Sequence, residues 1–506
     1  MSRVFTLATV GVLVFATEVA AAEVATSTAG GPAAKDVRDE DIFGSPDSRD
    51  ADVFGTKDSR DADVFGSGSD SASMTSSTSE MPVEPELGGD SSERIFSRLD
   101  ETNDRLQIGG RMYLRLDLAA SEGTPALEQA LSSPSLFDLY LDARPSERLR
   151  GYVRGRLRYD FTAREDEAPN PLTGRARVPV SAALDQLYAK FDVGQVLFVT
   201  LGKQAVRFGT GRFWNPTDFL NQQRLDPLAV FDERLGVGLL KLHAPIESLG
   251  WNLYAIGSFE GATSLEQLGG AVRAEVLLEQ TELSVSVAAR KGQPIVLGFD
   301  VSSGVWLFDL KAELALLHDV RAKHWKGAFI VGASDAVFPE EVDRSDDWIP
   351  QLVLGAEVSL KYSDEDNLTL GAEYFYNDAG YSSSSLYPWL GVRQVGFGEP
   401  IQYLYLGLHY AAAYFLLMGP GSWNDTTVIG SSIANLSDMS ALLRLDWRVL
   451  VLTYLQLNLY GSVHVGSGEL RFGLELPPTT VIPGLENGFK IPTQLFEVGA
   501  GLTVNF

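Results

Sequence analysis

Apolar and polar residues alternate along much of the chain with a period of two, the pattern of a β-strand with one apolar face. In residues 105–119, one side carries Leu106, Ile108, Met112, Leu114, Leu116 and Leu118, and the other carries Gln107, Arg111, Tyr113, Arg115 and Asp117. Residues 148–161 repeat the pattern with a face rich in arginine opposite a face of leucine, valine and aromatic residues. The arginine face requires water, so the apolar face must meet lipid or a protein core.

The pattern recurs often enough to place eighteen strands between residue 105 and residue 506. They are residues 105–119, 135–144, 148–161, 183–192, 196–204, 234–244, 249–260, 269–279, 282–290, 295–301, 305–318, 351–362, 367–377, 401–415, 426–434, 440–449, 453–465 and 493–506. The strand at 426–434 has the weakest pattern, but without it the two ends of the sheet would lie on opposite sides. An even number with both ends on one side is the rule for single-chain bacterial barrels.

The connections between these strands alternate in length. Those on one side are mostly tight, as at residues 145–147, 193–195, 280–281, 302–304, 363–366 and 450–452. Those on the other side include the long ones, at residues 120–134, 162–182, 205–233, 319–350, 378–400 and 466–492. A soluble β-sandwich also alternates but has no reason for this sidedness. The sequence therefore predicts an all-β fold, a transmembrane antiparallel up-and-down β-barrel of about 18 strands across residues 105–506.

Composition excludes several classes of function. The chain of 506 residues has no cysteine, which excludes disulfides, thiolate metal sites and thiol catalysis. A formal net charge of −26 argues against a nucleic-acid partner, because phosphate binding needs a basic surface. The five histidines are scattered and form no recognisable catalytic arrangement. We therefore expect no enzymatic activity, no cofactor and no bound metal.

The first 104 residues differ in character from the rest. Residues 1–22 have a basic start, an apolar core and a small-residue cleavage site, which predicts a secretory signal peptide. Residues 23–104 contain 20 acidic and 7 basic residues and predict a disordered acidic tail on the periplasmic side. An 11-residue unit recurs in it from Asp36, Asp47 and Asp58. The repeats are either a docking tag for a periplasmic partner or a solvated spacer.

One long connection carries a dense motif. Residues 201–221 read LGKQAVRFGTGRFWNPTDFLN, and Arg224 follows shortly after. The segment resembles the G-K/R-Q-x-x-x-W-G … N-P-T-D-F signature of a family of proteobacterial porin-like outer-membrane proteins, related in style to alginate-export barrels. Phe208 stands where that signature has tryptophan. The resemblance implies a barrel and a channel more than it implies a solute.

The same segment is the candidate constriction of the channel. Its motif residues are Arg207, Arg212, Asn215, Pro216, Asp218 and Arg224. Asn-Pro and Asp favour a tight turn with side-chain-to-backbone hydrogen bonds. The segment either folds into the lumen or remains an outer loop that stabilises itself.

Charged residues on the water-facing side of the strands are the predicted pore lining. Strands 1 to 3 supply seven arginines, Arg111, Arg115, Arg144, Arg150, Arg154, Arg156 and Arg158, together with four aspartates. Strands 11 to 13 supply Asp309, Lys311, Glu313, Glu357, Lys361 and Glu373. A basic wall would then face an acidic wall across the lumen. Cross-strand ion pairs that neutralise each wall are the alternative.

The last strand ends on Phe506, which resembles the closing strand that the barrel assembly machinery recognises in bacterial outer membranes. We therefore expect a passive channel for small hydrophilic solutes, anions among them, in contact with outer-membrane lipid in a Gram-negative bacterium. An adhesin or scaffold that tethers the envelope through its tail, and an exopolysaccharide export pore, are the alternatives. The oligomeric state does not follow from the sequence.

Overall fold

The chain forms one antiparallel sheet that closes into a barrel. The structure, a computed structural model, describes residues 105–165, 177–221, 228, 234–332, 335–363, 366–397, 405–482 and 485–506. The barrel strands are β1 (Leu106–Ser121), β2 (Pro134–Ser146), β3 (Leu149–Asp160), β4 (Val180–Val193), β5 (Leu197–Gln204), β6 (Val237–Ile246), β7 (Trp251–Ser258), β8 (Gly269–Leu278), β9 (Thr281–Arg290), β10 (Ile295–Val305), β11 (Phe308–His318), β12 (Ile349–Lys361), β13 (Asn367–Asn377), β14 (His409–Met418), β15 (Thr426–Asn435), β16 (Ser440–Leu452), β17 (Leu455–Val465) and β18 (Gln494–Asn505). The predicted signal peptide and acidic tail lie outside the described residues.

Each strand pairs with the next, and β18 pairs with β1 to close the ring. The closing register sets Arg111 opposite Asn505 and Leu114 opposite Leu502. All eighteen predicted strands overlap an observed strand, including the weakest one, which is β15. The connections at one end of the barrel, the turn end, are all short, and all the long ones lie at the other, the loop end, together with short ones at residues 291–294 and 436–439.

Burial is inverted relative to a soluble protein. Ile108 is 66% exposed and Leu116 is 52% exposed on the outer face, whereas Asp138 and Arg156 on the inner face are 3% and 4% exposed. Apolar side chains outside and charged ones inside are the arrangement of a barrel that spans a membrane. Exposed aromatic residues ring the turn end, namely Trp251, Trp306, Trp423, Tyr454 and Phe506. Such a ring marks the boundary between lipid and water.

Several smaller elements lie in the connections. Short strands are Ala130–Ser132, His324–Lys326, Ile330–Val331, Ala336–Val337, Glu340–Val342, Leu474–Leu476 and Phe489–Ile491. The helices are α1 (Tyr387–Phe397) and the 3-10 turns Ala126–Glu128, Glu247–Leu249, Leu265–Gln267 and Ser384–Leu386. Within the described part of the chain, no helix is long and apolar enough to cross a membrane.

The connections after β11, β13 and β17 pack together at the loop end, and we call them the outer cap. Their shared apolar cluster includes Trp325 from the first, Trp389 and Leu390 from the second, and Leu474 and Ile482 from the third. The sequence predicted three long outer loops but not that they share one core. The cap is therefore a packed structure and not a set of independent loops.

Three predicted boundaries are wrong. The turn expected at residues 450–452 lies at residues 453–454, because β16 continues to Leu452. The turn expected at residues 302–304 lies at Trp306 and Leu307, because Gly304 pairs with Asp309 and the ladder continues to Val305. Trp306 adopts a φ of 60° there. The strand expected at residues 401–415 is β14, which begins at His409. Residues 401–404 lie outside the described chain, and Leu406 bonds to Tyr381 in the cap instead of continuing the wall.

Candidate functional site: the inserted segment and the lumen

Residues 205–221, which follow β5, cross the interior of the barrel and dock on the wall formed by β11 to β14. We call them the inserted segment. Thr210 and Gly211 donate their backbone N–H groups to the carboxylate of Glu313 on β11. Arg212 and Phe213 donate theirs to Glu373 on β13, the second at 2.9 Å. The Thr217 hydroxyl also donates to Glu313, at 2.9 Å.

These contacts change the role expected for Glu313 and Glu373. The alternation of the strands places both on the inner face, as the sequence indicated. However, Glu313 is 1% exposed and Glu373 is 6% exposed, because the inserted segment covers them. They hold the segment and do not line open water. The acidic wall expected to face the lumen is therefore not formed at these two positions.

Aromatic packing holds the middle of the segment. Trp214 stacks on Phe375 with ring centroids 5.4 Å apart and meets Tyr405 edge-on at 6.2 Å. Trp214 is 3% exposed. The Arg212 guanidinium lies 3.9 Å from the centroid of the Tyr414 ring, a cation–π contact. Backbone hydrogen bonds thus fix residues 210–213, and ring contacts fix Arg212 and Trp214.

A small charged group sits beside this contact. Glu357 on β12 is ion-paired with Arg212 at 3.6 Å and with Lys311 at 3.7 Å. It also accepts a hydrogen bond from the Tyr414 hydroxyl. Asp309 and Lys361 lie nearer the turn end and are exposed. Glu313 and Glu373 are buried, whereas Glu357 is partly exposed. Arg212 therefore places a positive charge from the segment beside Glu357.

The Asn-Pro-Thr-Asp sequence forms a turn in the segment. The Asp218 N–H bonds to the Asn215 carbonyl at 3.0 Å, with Pro216 between them, and the Asn221 amide donates to Asp218 at 2.9 Å. Arg207 donates to the Gly211 carbonyl at 2.9 Å. Arg224 lies outside the described residues.

Gly209 makes the tight path possible. It has a φ of 97°, and an added Cβ would lie 2.6 Å from the Asn215 side-chain oxygen. The carboxylate of Glu313 would lie 2.7 Å from the same Cβ. Only glycine fits this position without moving the segment.

Six arginines on β1 to β3 are ion-paired. Arg156 contacts Asp138 at 2.7 Å, Arg154 contacts Asp185 at 2.7 Å, and Arg150 contacts Asp142 at 2.9 Å. Further pairs are Arg111–Asp138 at 3.2 Å, Arg115–Asp117 at 2.6 Å and Arg144–Asp142 at 3.0 Å. Arg154 and Arg156 are buried. The geometry is that of the alternative in which adjacent carboxylates neutralise the arginines.

Asp185 was not identified from the sequence, although it lies between two arginines. The β3–β4 register shifts between Arg154 and Gly155, a β-bulge that leaves Asp185 without a cross-strand partner. Asp185 and Gln186 consequently both point inward and are 0% and 1% exposed. The signal was present as two polar residues in succession between Leu184 and Leu187, which breaks the alternation.

A cavity of about 1510 Å³ lies inside the barrel and reaches the outer cap. Among the described residues, nine lysines and arginines line it, Arg115, Arg158, Lys203, Arg234, Arg290, Arg321, Lys323, Arg344 and Arg393. The described carboxylates that line it are Asp218, Glu260 and Glu497. Seven of the nine basic residues were not among those predicted, because they come from strand ends and cap segments where alternation gives no direction.

Several solved structures are similar to this chain. No model of a known protein family matches the sequence, and no curated protein matches it. It is similar to the structure of Pseudomonas aeruginosa OccK9 (OpdG), with 11% identity and a TM-score of 0.47 over 79% of this chain and 98% of the other. It is similar to Acinetobacter baumannii OccAB1, with 9% identity and a TM-score of 0.45 over 80% and 99% of the chains. It is also similar to a triple mutant of Rhodopseudomonas blastica porin, with 10% identity and a TM-score of 0.37 over 79% of this chain and 100% of the other.

Proposed function

We propose that the protein is an outer-membrane channel of a Gram-negative bacterium that lets small hydrophilic solutes diffuse passively, with a preference for anions. The observation that carries the proposal is the cavity inside the barrel, where the described lining has nine basic residues and three carboxylates. The excess is notable in a chain whose net charge is −26. A solute inside the barrel thus meets mostly positive side chains, although the net charge of the protein is negative.

Ion pairs reduce this excess, although the carboxylates of two pairs do not line the cavity. Arg321 pairs with Asp319 at 2.9 Å and Lys323 with Glu341 at 3.5 Å, and neither acidic partner lines the cavity. A positive surface raises the local concentration of anions by attraction that salt screens over about 10 Å at 0.1 M. The preference should therefore weaken as the salt concentration rises.

The inserted segment is the proposed constriction. It occupies the β11 to β14 side of the lumen, so the passage runs between it and the arginine-bearing strands β1 to β3. What supports this assignment is the set of backbone bonds to Glu313 and Glu373, which fix the segment across the barrel. Arg158 and Arg115 then face the passage, since both line the cavity.

The test is the reversal potential of purified channels in a planar bilayer under a salt gradient. We expect the sign that reports anion preference. The variant Lys323→Gln removes one cavity charge and should move the potential toward cations. Lys490→Gln is the matched control, because Lys490 is 63% exposed and does not line the cavity. Cation preference in the unaltered protein would contradict the proposal, and the absence of conductance would favour an adhesin or scaffold.

We also propose the roles of the N-terminal residues and the family relationship. The signal at residues 1–22 would direct export, and the acidic tail at residues 23–104 would lie in the periplasm, where its repeats would act as a spacer or as a docking site for a partner. The barrel assembly machinery would recognise the strand that ends at Phe506. The motif at residues 202–219 supports kinship with the porin-like family described above. Deleting residues 36–68 should leave heat-modifiable migration on gels intact, and its loss would show that the tail serves assembly.

A further inference from the structure

Glu469, in the connection after β17, joins separate segments at the loop end. Its carboxylate is buried and accepts hydrogen bonds from the backbone N–H groups of Tyr405 and Leu406, the second at 3.1 Å. The Asn435 amide donates to it at 3.0 Å, and the Tyr410 hydroxyl donates to it as well. These donors belong to the connection after β13, to β14 and to the end of β15.

All these donors are neutral. Among the described residues, no lysine or arginine forms a hydrogen bond or ion pair with Glu469. The charged and titratable groups that face it are Asp438, Tyr387, Tyr405 and Tyr410, together with His464, whose imidazole contacts the carbonyl of the adjacent Leu470. Glu469 thus lies against a second carboxylate, and no cation among the described residues is ion-paired with either of them.

Asp438 is tied to the same atoms. It accepts the Glu469 N–H at 2.9 Å and a hydrogen of the Asn435 amide at 2.9 Å, while that amide also serves Glu469. Burial, assisted by the negative charge of Asp438, raises the pKa of Glu469 to about 7 from an ordinary value of 4.5. The group therefore changes charge near neutral pH.

Tyr405 connects this group to the inserted segment. It has a φ of 68°, a backbone conformation that a tyrosine rarely adopts, and its N–H is held by Glu469. Its ring packs edge-on against Trp214 at 6.2 Å and against Phe375 at 5.8 Å. Tyr405 and Leu406 also line the cavity. A change in the protonation of Glu469 consequently affects both the cavity wall and the Tyr405 ring, which packs against the inserted segment.

We propose that Glu469 is a proton-operated latch that holds the outer cap and, through Tyr405, the inserted segment in the constricted arrangement, so that opening of the channel depends on the pH at the loop end. The inference rests on the channel function proposed above. Protonation removes one of two adjacent negative charges, and the remaining carbonyl oxygen still accepts hydrogen bonds from the chain.

The direction of the effect follows from linkage. In the constricted arrangement the raised pKa means that Glu469 binds a proton more tightly than it does in water. A rearranged cap that exposes Glu469 to water returns it to its ordinary pKa. Acidification from pH 7 toward 4.5 therefore favours the constricted arrangement. Within that window the ratio of the two arrangements changes by up to about tenfold per pH unit.

The experiment is single-channel recording in planar bilayers with the pH varied between about 5 and 8 on one side at a time. We expect conductance to fall on acidification at the loop end only. Glu469→Gln mimics the protonated state and should give low conductance at every pH. The control Glu475→Gln, on the same connection with a side chain 75% exposed, should respond as the unaltered protein does. A full pH response in Glu469→Gln overturns the latch, as does loss of the response in His464→Gln.

A second measurement does not require conduction. Protease cleavage of the cap should be faster at pH 8 than at pH 5 in the unaltered protein and independent of pH in Glu469→Gln, apart from the intrinsic pH dependence of the protease. Asp438→Asn should shift the midpoint of the response to lower pH, which tests the latch even where Glu469→Gln fails to fold. An unmoved midpoint would contradict it. If no channel forms at any pH but cleavage still follows this pattern, the channel proposal fails and the latch stands.

Discussion

Glu313 and Glu373 share between them the backbone N–H groups of four consecutive residues, 210–213, although they lie on different strands. An ionised carboxylate only accepts hydrogen bonds, and a run of successive N–H groups makes a concave site for a negative charge. Here the chain supplies both the site and the charges. The inserted segment is thus held by its backbone at residues 210–213, and the Arg212 side chain adds its contacts with Tyr414 and Glu357.

Replacing Glu313 by alanine should release the inserted segment while the barrel remains. The change leaves the donors of Thr210, Gly211 and Thr217 unsatisfied, at about 1–3 kcal/mol for each that stays buried. If the segment detaches from β11, these donors can bond to water and the cost is avoided. Single-channel conductance should rise, and heat-modifiable migration should persist because the strand ladder is intact. Glu340→Ala, at an exposed hairpin in the cap, is the control. Unchanged conductance in Glu313→Ala would mean that the segment does not set the passage.

Gly209→Ala should destabilise the segment by about 1–3 kcal/mol, because alanine is strained at a positive φ and its Cβ meets Asn215 and Glu313. Limited proteolysis within residues 205–221 should become faster at unchanged barrel stability. Gly151→Ala is a matched control, since an added Cβ there meets nothing within 4 Å. Equal cleavage rates in the two variants would count against the tight path assigned to the segment.

Changing both Arg154 and Arg156 to glutamine should impair folding more than selectivity. Asp185, which is 0% exposed, would lose both cations within 4 Å, and breaking a buried pair costs about 3–5 kcal/mol. The urea midpoint of unfolding should fall, and adding Asp185→Asn should restore part of it. Arg144→Gln, whose side chain is 26% exposed, should change stability by less than about 1 kcal/mol. A stable double variant with a large selectivity shift would instead indicate that these arginines face open water.

Phe506→Ala should reduce delivery to the outer membrane more than it reduces stability. The Phe506 ring covers Gly110 and stacks on Phe137 at 6.0 Å, but it remains 59% exposed. Its loss should lower the free energy of unfolding by only about 1 kcal/mol. Surface levels in cells and the urea midpoint of refolded protein measure the two effects. Normal surface levels would exclude a role of this residue in recognition by the assembly machinery.

The wall of the barrel could be predicted from the sequence because alternation follows from the geometry of a single strand. It placed Glu313 and Arg156 on the inner face correctly. It could not tell that Glu313 is covered and Arg156 is paired, because those facts depend on what crosses the lumen and on the register between strands. Asp185 shows the same limit, since one extra residue in β4 turns it inward.

The cap and the cavity depend on contacts between parts of the chain that are far apart in sequence. Glu469 and Tyr405 are 64 residues apart, and no local pattern around either indicates that they meet. Lys323 and Arg393 line the cavity only because cap segments fold back over the lumen. Residues in such connections have no alternating pattern from which the direction of a side chain could be predicted. Their positions are set by the shared apolar cluster of the three connections.

The path of the inserted segment has a mechanical consequence. A tube one strand thick is stiff along its strands but flattens easily across its diameter, since neighbouring strands hinge about their hydrogen bonds. The segment is anchored covalently at β5 and by hydrogen bonds at β11 and β13. It therefore restrains the cross-section of the barrel in one direction. The aperture can then widen only when the segment detaches from β11 and β13, while the barrel wall keeps its shape.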